Sequence, residues 1–449
     1  MANQTEPLIV SVSGIRGVIG ASLTPEIACA FAAALGTHLQ GQPVATSRDG
    51  RPSGVSLWHA VTAGLTSVGC DVIDLGIQPT PTCGLAIRKV QAAGGIQITA
   101  SHNPAQWNGL KLFGKDGAVL TAREGQVVQG IFQQQAFQRK EWSALGAVRT
   151  RSAAADWHRD RVLELVNVGR IQARKPTVFL DANGGAGGPL GKALLEALGC
   201  TVVAQGCDAD GCFAHIPEPT AENLTAISPL VALSKADIGL VLDPDADRLA
   251  LIDERGTYIG EELTLALAVQ YRLQQQRGPV VVNMSTSRLV EDIAAKFDCL
   301  CERSAVGEAN VVEKMRAVNA VIGGEGNGGV IDPRVGSVRD PFIGMALILN
   351  LMAETGKKLS ELVAALPTYH IRKDKYPAAP EKLPELFAAL EKRWPEAKAN
   401  RVDGLRLDWA DRWLHVRPSN TEPIVRVIAE APAAADAERL CQEAGAALR

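Results

Sequence analysis

The sequence predicts an α/β protein with three related α/β domains and a smaller C-terminal α+β domain. Apolar runs of strand length alternate with amphipathic helices along most of the chain, as in βαβ units. A helix that closes on a small-residue turn and enters a strand occurs near Cys70, again near Cys200 and more faintly near Cys299. From about His370 a helix, alternating strands broken by turns and a closing helix follow. These observations together define the predicted fold class.

The composition limits the class of partner. The 449 residues include 46 basic and 49 acidic ones, so no strong field would attract nucleic acid or an anionic membrane, and a small molecule is the expected partner. The nine cysteines are odd in number and form no CxxC pair, which argues against a disulfide framework or a zinc site. No signal-peptide pattern and no run of about 18 apolar residues occurs. We expect a cytoplasmic protein without a membrane span, either a monomer or a homodimer.

The first predicted domain covers residues 1–150. It opens with a strand over 8–18 that breaks into a glycine-flanked turn presenting Arg16. A βαβ unit follows over 43–76. Two helix starts are predicted. The first has an N-cap hydroxyl, a first-turn proline and a carboxylate at Thr24, Pro25 and Glu26. The second is a capping box of Thr121 with Glu124.

The most informative stretch of this domain is TASHNP at 99–104, which follows an apolar strand. Pro104 disfavours a helical Asn103, so the stretch is predicted to be a turn with Ser101 at the carboxyl end of a strand. Ligands collect at that position in open α/β folds. A serine that only hydrogen-bonds its own turn is the simpler alternative.

Lys111 is the second residue of interest in the first domain. It lies between Leu110 and Leu112 in a short predicted strand, so its side chain points to the opposite face from theirs. Most such lysines are solvated. Because Lys111 is close to Ser101 in sequence, it could also neutralise a phosphate or transfer a proton.

The second predicted domain, 151–255, carries DPDADR, in which Asp243, Asp245 and Asp247 alternate after the apolar run IGLVL. Three carboxylates in one loop can converge on a hard cation, which prefers oxygen ligands. The same spacing opens an EF-hand, but Arg248 stands where its glycine belongs and both flanks are strand-like. A solvated acidic turn is the other alternative. Because three unneutralised aspartates would repel one another, a divalent cation is the better prediction.

The third predicted domain, 256–368, contains the glycine-rich loop GGEGNGG, whose two functional side chains are Glu325 and Asn327. Glycines let a backbone approach a ligand closely, and a carboxylate with an amide suits sugar hydroxyls. The loop matches neither the dinucleotide nor the P-loop pattern, so a tight turn without a binding role stays open.

The fourth predicted domain, 369–449, contains RPSNTEPIVR. Guanidinium groups, hydroxyls and loop amides are anion-binding groups, and the lack of interleaved aromatic residues argues against nucleic acid. A phosphate monoester is the predicted ligand, with a plain polar turn as the alternative. The anion-binding side chains of this loop are Arg417, Ser419, Asn420, Thr421 and Arg426.

Taken in order, these four motifs resemble those of the α-D-phosphohexomutase family, and the resemblance covers essentially the whole chain. TASHNP is similar to the family's phosphoserine loop, DPDADR to its metal loop, GGEGNGG to its sugar-recognition loop and RPSNTEPIVR to its phosphate-binding loop. The resemblance implies four domains around a central cleft. It also implies an enzyme that interconverts hexose 6-phosphate and hexose 1-phosphate through a phosphoserine and a bisphosphate intermediate.

The resemblance also implies residue roles. Ser101 would be phosphorylated and would hold Mg²⁺ together with the three aspartates. Arg16 and Lys111 would stabilise charge or act as acid and base, while His102 and Arg248 would hold the loop and the phosphate. Further substrate contacts would come from Ser304, Gly307, Glu325 and Asn327. The C-terminal loop would bind the second phosphate, and a hexose 1,6-bisphosphate would be the activator.

Two departures from the family pattern concern the loops. Many members have serine and histidine where Asn327 and Gly329 stand here, so the histidine's suggested proton-handling role has no equivalent. Pro244 and Ala246 replace glycines common in the metal loop, which should stiffen it. The loop sequences favour the phosphoglucosamine mutase-like branch, with phosphomannomutase or phosphoglucomutase activity close behind. A metal-dependent sugar phosphatase and a non-catalytic sugar-phosphate sensor are more distant alternatives.

Overall fold

Three successive parts of the computed structural model share one four-stranded plan, and a fourth part forms an antiparallel sheet. The structure describes residues 7–11, 13–377, 383–418 and 424–447. Within that part of the chain, no helix is long and apolar enough to cross a membrane.

The first sheet has seven strands. They are β1 (Ile9–Ser11), β2 (Gly14–Val18), β3 (Val44–Arg48), β4 (Val72–Ile77), β5 (Gly94–Ile98), β6 (Trp107–Gly114) and β7 (Val148–Thr150). The accompanying helices are α1 (Pro25–His38), α2 (Ser53–Ser67), α3 (Thr80–Lys89) and α4 (Ala122–Gln134). The strand order is β1-β2-β6-β5-β3-β4-β7.

The next two sheets have four strands each. The second consists of β8 (Thr177–Asp181), β9 (Thr201–Gln205), β10 (Ile238–Leu242) and β11 (Leu249–Asp253). Its helices are α5 (Ala154–Leu163), α6 (Val168–Arg174), α7 (Gly187–Ala197) and α8 (Ser228–Leu233). The third consists of β12 (Val280–Asn283), β13 (Cys301–Ser304), β14 (Ile322–Glu325) and β15 (Gly329–Ile331). Its helices are α9 (Glu261–Gln275), α10 (Leu289–Lys296), α11 (Glu308–Val318), α12 (Pro341–Thr355) and α13 (Leu359–Ala364).

The last sheet is antiparallel, in the order β16-β20-β19-β18-β17 when its strands are numbered along the chain. The strands are β16 (His370–Pro377), β17 (Lys398–Asn400), β18 (Leu405–Asp408), β19 (Trp413–Pro418) and β20 (Ile424–Ala431), and the helices are α14 (Leu383–Arg393) and α15 (Ala434–Ala446). This agrees with the α+β domain predicted for the C-terminal part.

The three α/β units repeat one topology. In each, the first strand lies between the second and the third, to which it is parallel, and the fourth runs antiparallel beside the third. The helix-to-strand echoes in the sequence correspond to α2–β4, α7–β9 and α10–β13. The prediction of three related units is therefore confirmed, whereas the boundaries at 150, 255 and 368 stay predictions.

The repeat places the sequence motifs at equivalent points. TASHNP lies between β5 and β6, and DPDADR lies between β10 and β11. GGEGNGG, called the sugar loop below, covers the end of β14, the turn and the start of β15, so Glu325 is the last residue of β14 and Gly329 the first of β15. Each motif thus occupies the hairpin that joins the third strand of its unit to the fourth.

Two predicted helix starts are confirmed, and one predicted turn is wrong. Thr24 caps α1, and Thr121 with Glu124 forms a capping box on α4. The strand expected over 8–18 is instead a hairpin of β1 and β2, and Arg16 lies inside β2. Because β2 also pairs with β6, its backbone groups are bonded in a ladder, which the local glycine pattern could not reveal.

Apolar cores hold the units in place. The second and third units share one core, which joins residues such as Leu240, Leu267 and Phe342, whereas the first and fourth have cores of their own.

The buried His158 on α5 bonds Thr82 Oγ1 at 2.8 Å and Asp340 Oδ2 at 2.8 Å. Since Thr82 lies in α3 and Asp340 caps α12, this histidine connects the first three units.

Candidate active site where three hairpin loops meet

The Ser101 turn is fixed from beneath by a buried arginine. Ser101 has φ of +50°, in the left-handed region that few residues other than glycine adopt. Its N–H donates to Thr99 Oγ1 at 2.8 Å, and its carbonyl accepts from Arg51 Nη2 at 2.7 Å. Arg51 is buried, donates to the Asn103 carbonyl at 2.5 Å and is paired with Asp49. The strained turn is therefore held by several contacts at once.

Arg51 and Asp49 were not predicted as site residues. In the sequence they stand out only as charged residues of the loop after β3, and that loop does not indicate which groups they contact. The contact between Arg51 and the Ser101 carbonyl spans 50 positions and exists only in the folded chain.

The Ser101 hydroxyl is directed at the metal loop. Its Oγ lies 3.0 Å from Asp243 Oδ2 and 3.2 Å from His102 Nδ1. Burial, together with the cations Arg248 and Arg16, lowers the pKa of His102 to about 2, so its imidazole is neutral. Ser101 thus has a carboxylate and an imidazole nitrogen within hydrogen-bond reach.

Two predicted cations stand beside this hydroxyl. Arg16 donates to Asn103 Oδ1 at 3.4 Å, which places its guanidinium at the Ser101 turn. The Arg248 Nη1 atom lies 3.5 Å from Glu218 Oε1, and His102 Nε2 lies 3.8 Å from the same oxygen. Glu218 therefore joins the Arg248 and His102 side chains at the edge of the site.

The three aspartates converge as predicted. Asp243, Asp245 and Asp247 are buried, and each offers one carboxylate oxygen within 4.8 Å of the others. Asp243 Oδ1 accepts the backbone N–H groups of Asp247 at 3.0 Å and Arg248 at 3.1 Å, which curls the loop around one carboxylate. Ala246 has φ of +50°, which explains why glycine suits this position.

Lys111 is buried against this loop. Its Nζ lies 3.0 Å from Asp245 Oδ2 and 2.8 Å from Asp247 Oδ2. Burial alone would lower the pKa of Lys111, but the two carboxylates outweigh it and raise that pKa above its ordinary value. Lys111 is therefore an ammonium ion at neutral pH, and the solvated alternative is wrong because β6 is covered on both faces.

The aspartates differ in their proton affinity. Burial and the two neighbouring carboxylates raise the pKa of Asp243 well above its usual value. Burial would raise the pKa of Asp247 too, but Arg339 and Lys111 outweigh it and lower that pKa. The protein's own cations thus outweigh burial at Asp247, whereas at Asp243, next to Ser101, the opposing effect of Arg248 does not outweigh burial and the neighbouring carboxylates.

The triad fits a hard divalent cation. Asp245 Oδ1 and Asp247 Oδ1 are buried and have no hydrogen-bond partner among the residues that the structure describes. Buried carboxylate oxygens without donors are costly unless a cation satisfies them, and an all-oxygen set is what Mg²⁺ prefers.

The sugar loop is tied to the third unit. Glu325 Oε1 accepts from Asn283 Nδ2 at 2.9 Å and from the Gly307 N–H at 3.1 Å. Asn327 Oδ1 is buried without a partner in the described part of the chain. Ser304 donates to the carbonyl of the next residue at 3.0 Å. The structure therefore brings Glu325 and Gly307 together, and it gives Ser304 no contact with either.

An arginine that the sequence did not single out joins two of the loops. Arg339 Nη2 lies 2.6 Å from Asp247 Oδ2, and its Nη1 lies 2.8 Å from Glu325 Oε2. Its backbone N–H donates to Glu308 Oε1 at 2.6 Å. Asp247 is 92 positions away, and no local pattern distinguishes Arg339 from other loop arginines.

The C-terminal loop is described only in part. Arg417 and Arg426 lie opposite each other on β19 and β20, so their side chains leave the same face of the sheet. Arg417 Nε lies 3.0 Å from Asp403 Oδ2, which also accepts the Val306 N–H at 2.9 Å. Asp403 thus joins the fourth domain to the segment beside Gly307. The predicted phosphate-binding residues Ser419, Asn420 and Thr421 lie outside the described residues.

Models of one protein family match almost the whole chain. They are the phosphoglucomutase/phosphomannomutase alpha/beta/alpha domain I at residues 8–139, domain II at 157–256, domain III at 260–369 and the C-terminal domain at 372–446.

Full-length relatives agree with these matches. A phosphoglucomutase/phosphomannomutase of Thermococcus kodakarensis is 37% identical over 93% of this chain and 93% of its own. A relative in Methanosarcina acetivorans, named "Probable phosphoglucosamine mutase", is 34% identical over 96% of this chain and 98% of its own. The crystal structure of a Burkholderia thailandensis phosphoglucomutase/phosphomannomutase family protein is 27% identical with a TM-score of 0.87, covering 98% of this chain and 96% of that one.

Proposed function

The chain belongs to the phosphoglucomutase/phosphomannomutase family and is a phosphohexomutase, an enzyme of the isomerase class; we propose that it interconverts glucosamine 6-phosphate and glucosamine 1-phosphate. The relatives named "Probable phosphoglucosamine mutase" support this substrate, and the one of Methanosarcina acetivorans aligns over nearly its whole length. The GEGNGG loop between β14 and β15 supports it as well. Phosphomannomutase or phosphoglucomutase activity is the alternative, because a relative at 37% identity carries that name.

The observation that carries the mechanism is the position of the Ser101 hydroxyl. Its Oγ lies 3.0 Å from Asp243, while Lys111 and Arg16 bring positive charge to the same end of the cleft. Transfer of a phosphoryl group requires mainly positioning and neutralisation of spread negative charge. Ser101 is therefore the proposed phosphate carrier, and Lys111 and Arg16 are the proposed charge stabilisers.

Asp243, Asp245 and Asp247, with an oxygen of the Ser101 side chain, are the proposed ligands of Mg²⁺. When bound there, the ion would supply further neutralisation of the phosphoryl oxygens. The protein's own part is to hold the carboxylates in a buried cluster and to orient Ser101 through Arg51.

The transfer conserves the phosphoryl group. The bond from phosphorus to Ser101 Oγ breaks as a sugar hydroxyl forms a new bond to phosphorus, and the sugar becomes a bisphosphate. The proton that this hydroxyl loses ends on Ser101 Oγ, which is again a hydroxyl. Its other phosphate then returns to Ser101 in the reverse step, so the net reaction moves phosphate between O6 and O1. This scheme needs a second anion site, for which we propose Arg417 and its loop, and a hexose 1,6-bisphosphate would prime the unphosphorylated enzyme.

The test of the substrate is a parallel assay. Glucosamine, glucose and mannose 6-phosphates are each incubated with the protein, Mg²⁺ and a trace of hexose 1,6-bisphosphate, and kcat/KM is measured for each 1-phosphate. We expect the highest kcat/KM for glucosamine 6-phosphate. A higher value for glucose or mannose 6-phosphate would replace the proposed substrate, and steady release of inorganic phosphate without 1-phosphate would identify a phosphatase.

Replacing Arg417 by alanine tests the second anion site. Because a charge-assisted hydrogen bond to phosphate is lost, we expect KM for the sugar phosphate to rise about 10- to 100-fold. The Mg²⁺ concentration for half-maximal activity should stay unchanged, since Arg417 contacts Asp403 and none of the three aspartates among its described contacts. The control is Arg439→Ala, which removes an arginine of α15 that is 60% exposed. Equal shifts in KM and in Mg²⁺ requirement would show that the two sites are not separate.

The cysteines bear on the compartment. All nine lie within the described residues and none forms a disulfide. This supports a cytoplasmic location, which we propose together with the function.

A further inference from the structure

Arg339 is the only residue in the described part of the site whose side chain bonds both the metal loop and the sugar loop. One guanidinium nitrogen lies 2.6 Å from Asp247 Oδ2, and the other terminal nitrogen lies 2.8 Å from Glu325 Oε2. A planar guanidinium with two terminal nitrogens can make both contacts at once, whereas an ammonium group cannot reproduce that geometry. One rigid side-chain group therefore joins the two loops, beside the backbone bond from the Leu249 N–H to the Gly328 carbonyl at 3.1 Å.

The side chain of Arg339 is itself fixed. It is 11% exposed, and its Nε lies 3.8 Å from Glu308 Oε2. The Arg339 N–H also donates to Glu308, at the start of α11, and the next residue, Asp340, caps α12. Both the backbone and the head group of Arg339 are thus anchored, and its aliphatic stem has little freedom to move.

Gly329 provides the space for that stem. A Cβ atom at position 329 would lie 2.8 Å from Arg339 Cγ and even closer to Arg339 Cδ. Gly329 does not have a positive φ, so its backbone would accept alanine without strain. The requirement for glycine here comes from side chains: mainly from Arg339, and to a smaller extent from Asn327, whose Oδ1 atom would lie 3.1 Å from the added Cβ.

We propose that Arg339 is a positioning residue for phosphoryl transfer, which holds the Asp247 loop and the Glu325 loop at a fixed separation, and that Gly329 is glycine because the stem of Arg339 fills the space beside it. The proposal rests on the proposed function, in which the phosphate reacts at the first loop and the sugar is recognised at the second. A change in their separation misplaces the sugar hydroxyl relative to phosphorus, and small misplacements of this kind cost large factors in rate.

The first test is Gly329→Ala, which changes no charge and adds one methyl group against Arg339. We expect kcat to fall about 10- to 100-fold with little change in KM. The thermal midpoint should fall by a few degrees, because the methyl group crowds a side chain that has little freedom to move. The matched control is Gly344→Ala on α12, where an added Cβ meets Val330 Cγ2 at an ordinary 3.4 Å. The control should keep kcat within about twofold. A wild-type kcat in Gly329→Ala would overturn the proposal.

The second test is Arg339→Lys, alone and combined with Gly329→Ala. Lysine keeps a cation among Asp247, Glu325 and Glu308, so the protein should fold, but it cannot bond both loops in the same way. We expect kcat to fall about tenfold or more in Arg339→Lys. Because a lysine tied at one end can move away from the methyl group, adding Gly329→Ala should lower kcat by less than about twofold further.

Two outcomes count against the proposal. Unchanged kcat in Arg339→Lys would show that the double contact is not needed, and losses that multiply in the double variant would show that the methyl group acts elsewhere. Neither outcome touches the mutase reaction, which is refuted if the wild-type protein forms no sugar 1-phosphate, or the choice of substrate, which the parallel assay tests. Activity of the wild type is therefore measured first, with glucosamine 6-phosphate and glucose 6-phosphate.

Discussion

Replacing Ser101 by alanine is expected to abolish mutase activity, with a loss of about 10⁴-fold or more in kcat, because Ser101 is the proposed carrier of the phosphoryl group. The fold should survive. Alanine keeps the backbone contacts that Ser101 makes to Thr99 and Arg51, and only the hydroxyl contacts to Asp243 and His102 are lost. The measurement is 1-phosphate formation together with incorporation of labelled phosphate from a hexose 1,6-bisphosphate.

The matched control is Ser56→Ala, which removes the hydroxyl of an exposed serine on α2. It should incorporate label and turn over like the wild type. Full activity in the Ser101→Ala protein would end the covalent scheme. Loss of activity with normal incorporation of label would instead place the carrier at another residue.

Replacing Asp245 by asparagine is expected to lower kcat about 10²- to 10³-fold at saturating substrate. The change keeps the size of the side chain but removes a charge from the carboxylate cluster, so a divalent cation is held less tightly. It also makes the acceptor of Lys111 Nζ at 3.0 Å and of Thr80 Oγ1 at 2.6 Å a neutral amide oxygen, which accepts more weakly than a carboxylate. The measurement is activity as a function of Mg²⁺, in which the half-maximal concentration should rise.

The control for this change is Asp156→Asn on α5, whose side chain is 62% exposed. Its Mg²⁺ dependence should equal that of the wild type, and both proteins should lose activity when a chelator removes the metal. If Asp245→Asn kept the wild-type Mg²⁺ requirement, the triad would not be the metal site.

The repeated topology explains how these parts come together. Each of the three units contributes the hairpin after its third strand. These hairpins carry Ser101, the three aspartates and Glu325, the proposed sugar contact. Contacts then link the hairpins: Ser101 to Asp243, Asp247 through Arg339 to Glu325, and Glu325 to Gly307. Asp403 extends the series to Arg417 in the fourth domain. Along these contacts, Glu325 therefore lies between the aspartate loop and Arg417, where we propose the second anion site.

The sequence by itself determined the chemistry of the four motifs and the order of the units. Each motif depends on residues only a few positions apart in the sequence. Examples are the alternating aspartates, the turn Ser-His-Asn-Pro and the capping box of Thr121 with Glu124. Internal echoes revealed the repeat because each unit had to bury the same helix against the same strand. These features follow from short-range geometry and hydrophobic periodicity, which a linear sequence displays.

The tertiary structure alone decided which other side chains support the site. The sequence of its strand allowed Lys111 to be either solvated or buried. In the structure it is buried, and its ammonium group is paired with Asp245, 134 positions away. Arg51, Arg339 and Asp403 act through partners that the sequence keeps far apart, and Arg16 lies in a strand because β1 and β6 both pair with β2. The charged partners in this buried site are close in space but far apart in sequence. The packing of the units brings them together, and no local sequence pattern does.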